Sequence, residues 1–241
     1  MLICHPNDST ITAVWKDLNK HFELKDLGHV SHYLGIEIER SGDNRFLLHQ
    51  RNRITSLLEK YKLGEAKGCA IPMDADYPKL TGDDDVLQSN EIYRQAVGEL
   101  LYLSTTTRPD IACAMGYLCR HVSKPRQRDW TAVKKVFRYL KYTLNCKLQL
   151  SGEGGARLVC YADADWAGDV KDRKSTSGYF ISLGGSPVSW SSRKQTSVAL
   201  SSTEAEYVSA AHASQEVLWL RQLLIDFGHS MDEPTCLLED N

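Results

Sequence analysis

No apolar run in this 241-residue sequence approaches the roughly 18 residues that a membrane-spanning helix needs. The start, Met1-Leu2-Ile3-Cys4-His5-Pro6, has no basic n-region and too short an apolar stretch for a signal peptide. There is no Cys-x-x-Cys, and the cysteine count is odd, at seven. Reduced thiols in a cytoplasmic or nuclear setting are therefore expected. The eight histidines do not cluster with cysteines at finger spacing, which argues against structural zinc. Gly-x-Ser-x-Gly, Gly-x-Gly-x-x-Gly and Gly-x-x-x-x-Gly-Lys-Ser/Thr are all missing. Hydrolase elbows, dinucleotide folds and P-loops are excluded with them. Proline and glycine are too scarce for a collagen, and no internal repeat or long low-complexity segment occurs.

What is present is ordinary globular composition, 42% apolar and 25% charged, with a formal net charge of −2. That average conceals an uneven distribution. Arg120 to Lys147 holds nine basic residues and the single acid Asp129. From Leu158 onward there are twelve acids and six bases.

The pattern predicts an α/β chain, α+β overall, in two parts. Residues 1–150 read as hairpin and helices. Helices are expected over Ser9–Phe22 (capped by Asp8 or Ser9), Ile54–Tyr61 (closed by Gly64), Ile92–Leu103, Pro109–Val122 and Asp129–Tyr142. Val30–Glu39 and Phe46–His49 read as a strand pair around Ser41-Gly42-Asp43-Asn44, and Ala66–Asn90 as a loop. Ser151-Gly152-Glu153-Gly154-Gly155 marks the boundary. Residues 156–241 then read as a strand Leu158–Asp163, a hairpin Gly178–Leu183/Val188–Ser191, a long helix Glu204–Phe227 ended by Gly228, and a strand Cys236–Leu238.

Two groups of residues carry candidate chemistry. On the helix Asp129–Tyr142, Trp130, Val133, Phe137 and Leu140 form one face; Lys134, Arg138 and Lys141 form another. Such a cationic face is either a solvated surface or a phosphate-backbone contact. Among the acids, Asp163, Asp165 and Asp169 lie at or just after a strand end, where ligands gather in α/β sheets. Ser201-Ser202-Thr203-Glu204-Ala205-Glu206 contains two overlapping capping boxes and fixes a helix start near Thr203. Glu204 reads as a cap. Glu206 falls where the helix presses on the sheet through Ala210, Val217, Leu220 and Leu224. Asp163, Glu206 and Asp240 either are separate surface acids or converge on a divalent cation. Hard oxygen ligands suit Mg²⁺ or Mn²⁺, and two such ions promote phosphodiester hydrolysis.

At these residues the sequence resembles the Pol polyprotein of copia-type LTR retrotransposons, at the end of reverse transcriptase and the start of ribonuclease H. The matching stretches are Phe22-Glu23-Leu24-Lys25-Asp26-Leu27-Gly28, Tyr33-Leu34-Gly35-Ile36-Glu37-Ile38, Val97–Leu103 and Thr107–Ala112. Further on come Tyr161-Ala162-Asp163-Ala164-Asp165-Trp166-Ala167-Gly168-Asp169, Lys174–Tyr179, Trp190–Gln195 and Ser201–Tyr207. The resemblance implies a thumb- or connection-like region followed by an incomplete ribonuclease H-like mixed sheet with a long helix. It makes Asp163, Glu206 and Asp240 metal-binding catalytic carboxylates using Mg²⁺ or Mn²⁺, with Asp165 a weaker candidate. It makes Lys174, Arg193, Lys194 and Gln195 contacts to the backbone of an RNA–DNA hybrid, whose A-like minor groove and 2′-hydroxyls would be read. The implied partners are such a hybrid or duplex, the rest of a Pol polyprotein and a virus-like particle, with no membrane.

Two departures qualify the expected activity. The family's polymerase aspartates precede a stretch like Met1-Leu2-Ile3, and its fourth ribonuclease H carboxylate follows the residues after Asn241. Loss of that ligand is expected to cut hydrolysis sharply and to leave a strand edge uncovered. A non-catalytic nucleic-acid-binding module and a relic open reading frame are the alternative readings.

Overall fold

A computed structural model describes residues 1–42, 44–80 and 85–239. Asp43, Thr81–Asp84, Asp240 and Asn241 lie outside the described residues, so part of the expected turn at Ser41–Asn44 and the candidate ligand Asp240 are not placed.

The first unit joins a small sheet to a helical core. α1 spans Asp8–Leu18 and is capped by Asn7, whose side chain accepts from Ser9 N at 2.9 Å. The cap thus lies one residue before Asp8 and two before Ser9, the expected caps, because Asn offers its carbonyl oxygen directly to the second helical N–H. Strands β1 (His32–Tyr33), β2 (Ile36–Arg40), β3 (Arg45–His49) and β4 (Leu148–Ser151) form an antiparallel sheet in that order. α2 (Arg51–Lys60) closes through Lys62 at φ +56°, not through Gly64, and Leu63 N donates back to Leu58 O at 2.7 Å.

α3 (Glu91–Thr106) and α5 (Gln127–Tyr142) bury their faces at helical spacing. Tyr93, Val97, Leu100 and Leu103 meet Val133, Val136, Phe137 and Leu140, all at 3% exposure or less. Asp129 is buried as the third residue of α5. It accepts Arg126 N at 2.7 Å and the Tyr77 hydroxyl at 2.8 Å. Between these helices the single helix expected over Pro109–Val122 breaks into three pieces. They are a 3₁₀ turn at Pro109–Ile111, α4 (Ala112–Leu118) and a second 3₁₀ turn at Cys119–His121. Arg120 Nε takes the Gly116 carbonyl at 2.9 Å, a group that a continuing α-helix would give to a backbone N–H.

The second unit is a mixed sheet. Strands β5 (Leu158–Asp165), β6 (Thr176–Leu183), β7 (Ser186–Lys194) and β8 (Cys236–Leu238) lie in the order β7-β6-β5-β8. β6 and β7 are antiparallel to their neighbours, whereas β8 runs parallel to β5. Gly184 and Gly185 make the two-residue turn, at φ +55° and +82°, the left-handed pair that a type I′ hairpin requires. A Cβ on Gly184 would lie 2.7 Å from Gly155 O, so the glycine-rich segment before β5 packs on this turn. α6 (Ser202–Asp226) crosses one face of the sheet, burying Ser209, Ala213, Val217, Leu220 and Leu224. Ser209 and Ala213 take the inward role expected of Ala210. Gly228, at φ +87°, follows the helix end as expected.

Candidate functional site

The carboxylates gather where β5 runs out and α6 begins. β5 alternates: Leu158, Cys160, Ala162 and Ala164 are buried toward α6, and Asp163 is exposed on the other face. Ser209 Oγ bonds Asp163 O at 2.7 Å and Gly178 O at 3.1 Å, fixing the helix against this point of the sheet. Ser201 caps the helix by accepting from Glu204 N at 3.1 Å, and Glu204 accepts from Leu200 N at 2.6 Å. The second expected box, from Thr203 to Glu206, does not form, because Thr203 already lies within the helix.

Glu206 is therefore free of capping duty, and it is only 6% exposed. Burial pushes its carboxyl up to about 7. The charge of Asp163 adds to this, as do a hydrogen bond and charge from Glu239, while a bond from the Ala164 backbone pulls the other way. Its Oε2 is buried without a hydrogen-bond partner among the described residues. Such an orphan oxygen in a native fold calls for an explanation.

Asp165 has a different fate. Its carboxylate accepts from Thr176 N and from the Tyr117 hydroxyl at 3.2 Å. A Cβ on Gly168 would overlap it. Asp165 is thus a fastening of the β5–β6 end to α4. Asp169 is half-buried. Burial raises its carboxyl, but the Lys194 bond, the Lys171 N–H and the charges of Lys194 and Arg120 outweigh this and hold it below the usual range.

The expected nucleic-acid contacts divide. Arg193 is exposed on β7 and Lys174 is half-buried in the β5–β6 loop. Lys194 instead pairs with Asp169 at 2.5 Å and Asp172 at 2.8 Å. Gln195 is 2% exposed, and its amide nitrogen bonds Ser177 Oγ and Ala205 O at 2.9 and 2.8 Å. That side chain pins the start of α6 and cannot touch a ligand backbone. On α5, Arg138 Nε takes Lys67 O at 2.7 Å and Lys141 takes the carbonyls of Gly64 and Ala66. Two of the three cations of that face therefore hold the segment after α2, leaving Lys134 without such a bond among the described residues.

Beyond the carboxylates, a groove of about 410 Å³ runs between α4 and the open face of the second sheet. Asp163 lies on its wall with Tyr117, Tyr161, Phe180 and Trp190. Glu239, Tyr117 and Arg120 are participants that the sequence did not single out. Strand alternation carried one residue past β8 places Glu239 on the α6 side, a signal that was there to read. Among the described residues no three His, Cys, Asp or Glu side chains stand together at metal-holding geometry.

A family model for reverse transcriptase (RNA-dependent DNA polymerase) matches residues 1–75. Among similar proteins, the retrovirus-related Pol polyprotein from transposon TNT 1-94 of Nicotiana tabacum is 38% identical over 95% of this chain and 18% of its own length. The corresponding polyprotein from transposon RE2 of Arabidopsis thaliana is 40% identical over 98% of this chain and 16% of its own. The putative transposon Ty5-1 protein of Saccharomyces cerevisiae is 30% identical over 90% of this chain and 71% of its own. No solved structure matches the chain. The chain spans less than a fifth of the length of the two Pol polyproteins. It belongs to the Pol polyproteins of copia-type retrotransposons and corresponds to a segment that includes reverse transcriptase sequence.

Proposed function

We propose that this segment serves metal-dependent hydrolysis of the RNA strand of RNA–DNA hybrids, in the manner of ribonuclease H. The observation that carries the reading is Glu206, a buried carboxyl beside Asp163 and Glu239 with one oxygen unbonded among the described residues. A lone glutamate tucked under a sheet would be a fault in the fold; one facing a cation is not.

The donor chemistry fits a hard divalent ion. Asp163 and Glu206 would hold it, together with Asp240, which follows β8 outside the described residues. Mg²⁺ or Mn²⁺ bound there activates water and stabilises the leaving oxygen of a phosphodiester. The chain's own part is to hold Glu206 rigidly through the Ser201 cap and the Ser209 bonds, and to present Asp163 at the mouth of the groove. The basic face of α5 is a poorer basis for a purely binding role, because Arg138 and Lys141 already bond backbone carbonyls.

The test is hydrolysis of a labelled hybrid by the purified chain in Mg²⁺ or Mn²⁺. Cleavage is expected, and Asp163→Asn or Glu206→Gln should abolish it. A folded chain that cleaves with neither ion would remove the proposal.

A further inference from the structure

A second feature sits at the seam between the two units, beside the β5–β6 loop. There a cavity of about 40 Å³ opens among Tyr77, Arg120, His121, Arg128, Asp169 and Lys171. A water needs roughly 10–15 Å³ measured this way, so the space takes about three water-sized atoms. That is the room the outer oxygens of one phosphate group require.

Among the described residues the lining leaves donors without acceptors. Arg120 is held by Gly116 O on Nε and by Thr176 Oγ1 on Nη2, at 2.9 and 3.2 Å, with its guanidinium over the Tyr117 ring. Its Nη1 is buried and makes no hydrogen bond among the described residues. The acid facing it, Asp169, stands 3.7 Å away, an ion-pair distance too long for a hydrogen bond. Lys171 is exposed, and its ammonium has no ion-pair partner among the described residues. His121 feels this field. Burial lowers its imidazole below the ordinary value, and Lys171, Arg128 and Arg120 lower it further against the pull of Asp129. The two acids of the lining among the described residues are both engaged. Asp129 accepts Arg126 N and the Tyr77 hydroxyl, and Asp169 accepts Lys194 Nζ and Lys171 N.

We propose that this cavity is an anion site that takes one phosphate of a nucleic-acid backbone, with Arg120 Nη1 and Lys171 as its donors. Its position suits that ligand. Arg120 bonds Thr176, Thr176 pairs with Asp165, and Asp165 follows Asp163 by two residues, about 7 Å along a strand. A phosphate held here fixes the same strand that passes the carboxylates, and it does so with residues from both units. The identity of the phosphate donor rests on the hybrid-hydrolysis reading; the anion site does not.

The test uses the full chain in EDTA, so that binding is read without cleavage. In one arm, affinity for a fluorescent RNA–DNA hybrid is measured across salt concentrations for the parent protein and Lys171→Gln. Losing one phosphate contact is expected to lower the slope of log affinity against log salt by about 0.9 and to weaken binding about fivefold to tenfold at 0.1 M salt. In the other arm, inorganic phosphate is titrated while the His121 ring is followed by NMR. A saturable shift is expected in the parent protein and a weaker one in Lys171→Gln. Lys171 is exposed, so that variant keeps the fold; Arg120→Gln is the second variant, read after its melting curve is checked. An unchanged slope and affinity in Lys171→Gln overturn the proposal. A His121 shift with no change in the hybrid slope overturns the backbone assignment in favour of a free anion. If the parent binds no hybrid, the hydrolysis reading fails, and the phosphate arm alone decides the site: no shift overturns it.

Discussion

Replacing Glu206 by glutamine should stabilise the protein, and only at high pH. The carboxyl is 6% exposed and is raised from its ordinary 4.5 to about 7. That displacement corresponds to roughly 3 kcal/mol of discrimination by the fold against the charged form. The sign follows from proton counting. Between about pH 4.5 and 7 the folded chain keeps a proton that the unfolded chain has released. Stability therefore falls as pH rises through that window and stays reduced above it. Glutamine has the same size and no charge to bury. In EDTA at pH 8, Glu206→Gln is expected to gain up to about 3 kcal/mol, or roughly 6–12 °C in melting temperature for a chain of this size. At pH 4, where glutamate is protonated in both states, the two proteins should melt together. The assay is thermal melting by circular dichroism at both pH values, read as the difference between variant and parent so that other titrations cancel. An equal difference at pH 4 and pH 8, or a parent more stable than the variant at pH 8, would show that the fold does not penalise the charged form of Glu206. The same substitution is expected to abolish hydrolysis, so one change separates the cost of the carboxylate from its use.

Three further substitutions test the packing. Gly116→Ala gains up to about 1 kcal/mol in helix propensity, but its Cβ would stand 2.9 Å from Ser192 O. A net loss of about 1–2 kcal/mol is expected from overpacking at the seam, seen as a lower urea midpoint; a higher midpoint would show that α4 does not press on β7. Tyr117→Phe removes the donor to Asp165 at 3.2 Å and should cost about 1 kcal/mol, measured in the same denaturation, with no loss meaning that the bond is idle. Lys62→Gly relieves a left-handed residue at φ +56°. After the extra entropy of glycine, a gain of about 0.5–1 kcal/mol is expected, and destabilisation would count against Lys62 as the strained closing residue of α2.

Period and punctuation carried most of the fold. α3, α5 and α6 have apolar residues at three- and four-residue steps, and the structure places all three within a few residues of where that spacing puts them. Gly184-Gly185 between two β-rich runs is a hairpin by backbone chemistry alone, and it is one here. The misses have local causes. The Pro109–Val122 segment has helical spacing throughout, yet a side chain of the same segment, Arg120, takes the Gly116 carbonyl. No window of sequence shows that competition. Lys62 closing α2 in place of Gly64 is similar: the left-handed position is set by where α2 stops packing, and the available residue is used at a cost.

The candidate site was legible in kind and not in detail. Asp163 and Asp165 stand on the same face of β5, two residues apart, and by spacing are equivalent. Tertiary contact separates them: Thr176 N and the Tyr117 hydroxyl occupy Asp165, and Asp163 is left exposed at the groove. Lys194 and Gln195 likewise look like neighbours of Arg193. One is neutralised by Asp169 and Asp172, and the other is buried under the start of α6.

The same contacts change where positive charge can act. A block of nine cations between Arg120 and Lys147 points, by sequence, to the middle of α5 as the phosphate-facing surface. In the fold, Arg138 and Lys141 at that surface satisfy the carbonyls of Gly64, Ala66 and Lys67 in the segment after α2. A cation already bonded to carbonyls gains little by turning to a phosphate, because it must first give up those bonds. Among the described residues Lys134 keeps its ammonium unbonded on α5, and buried unbonded capacity lies at the front of the block, on Arg120 Nη1, with exposed Lys171 across the seam. Arg120 and Lys171 both stand by the β5–β6 loop, at the end of the strand that carries Asp163. Arg120 reaches this place because α4 docks on the open face of the second sheet. The second unit holds the carboxylates and Lys171 and the first adds Arg120, so loosening the seam with Gly116→Ala should weaken hybrid binding in EDTA along with stability.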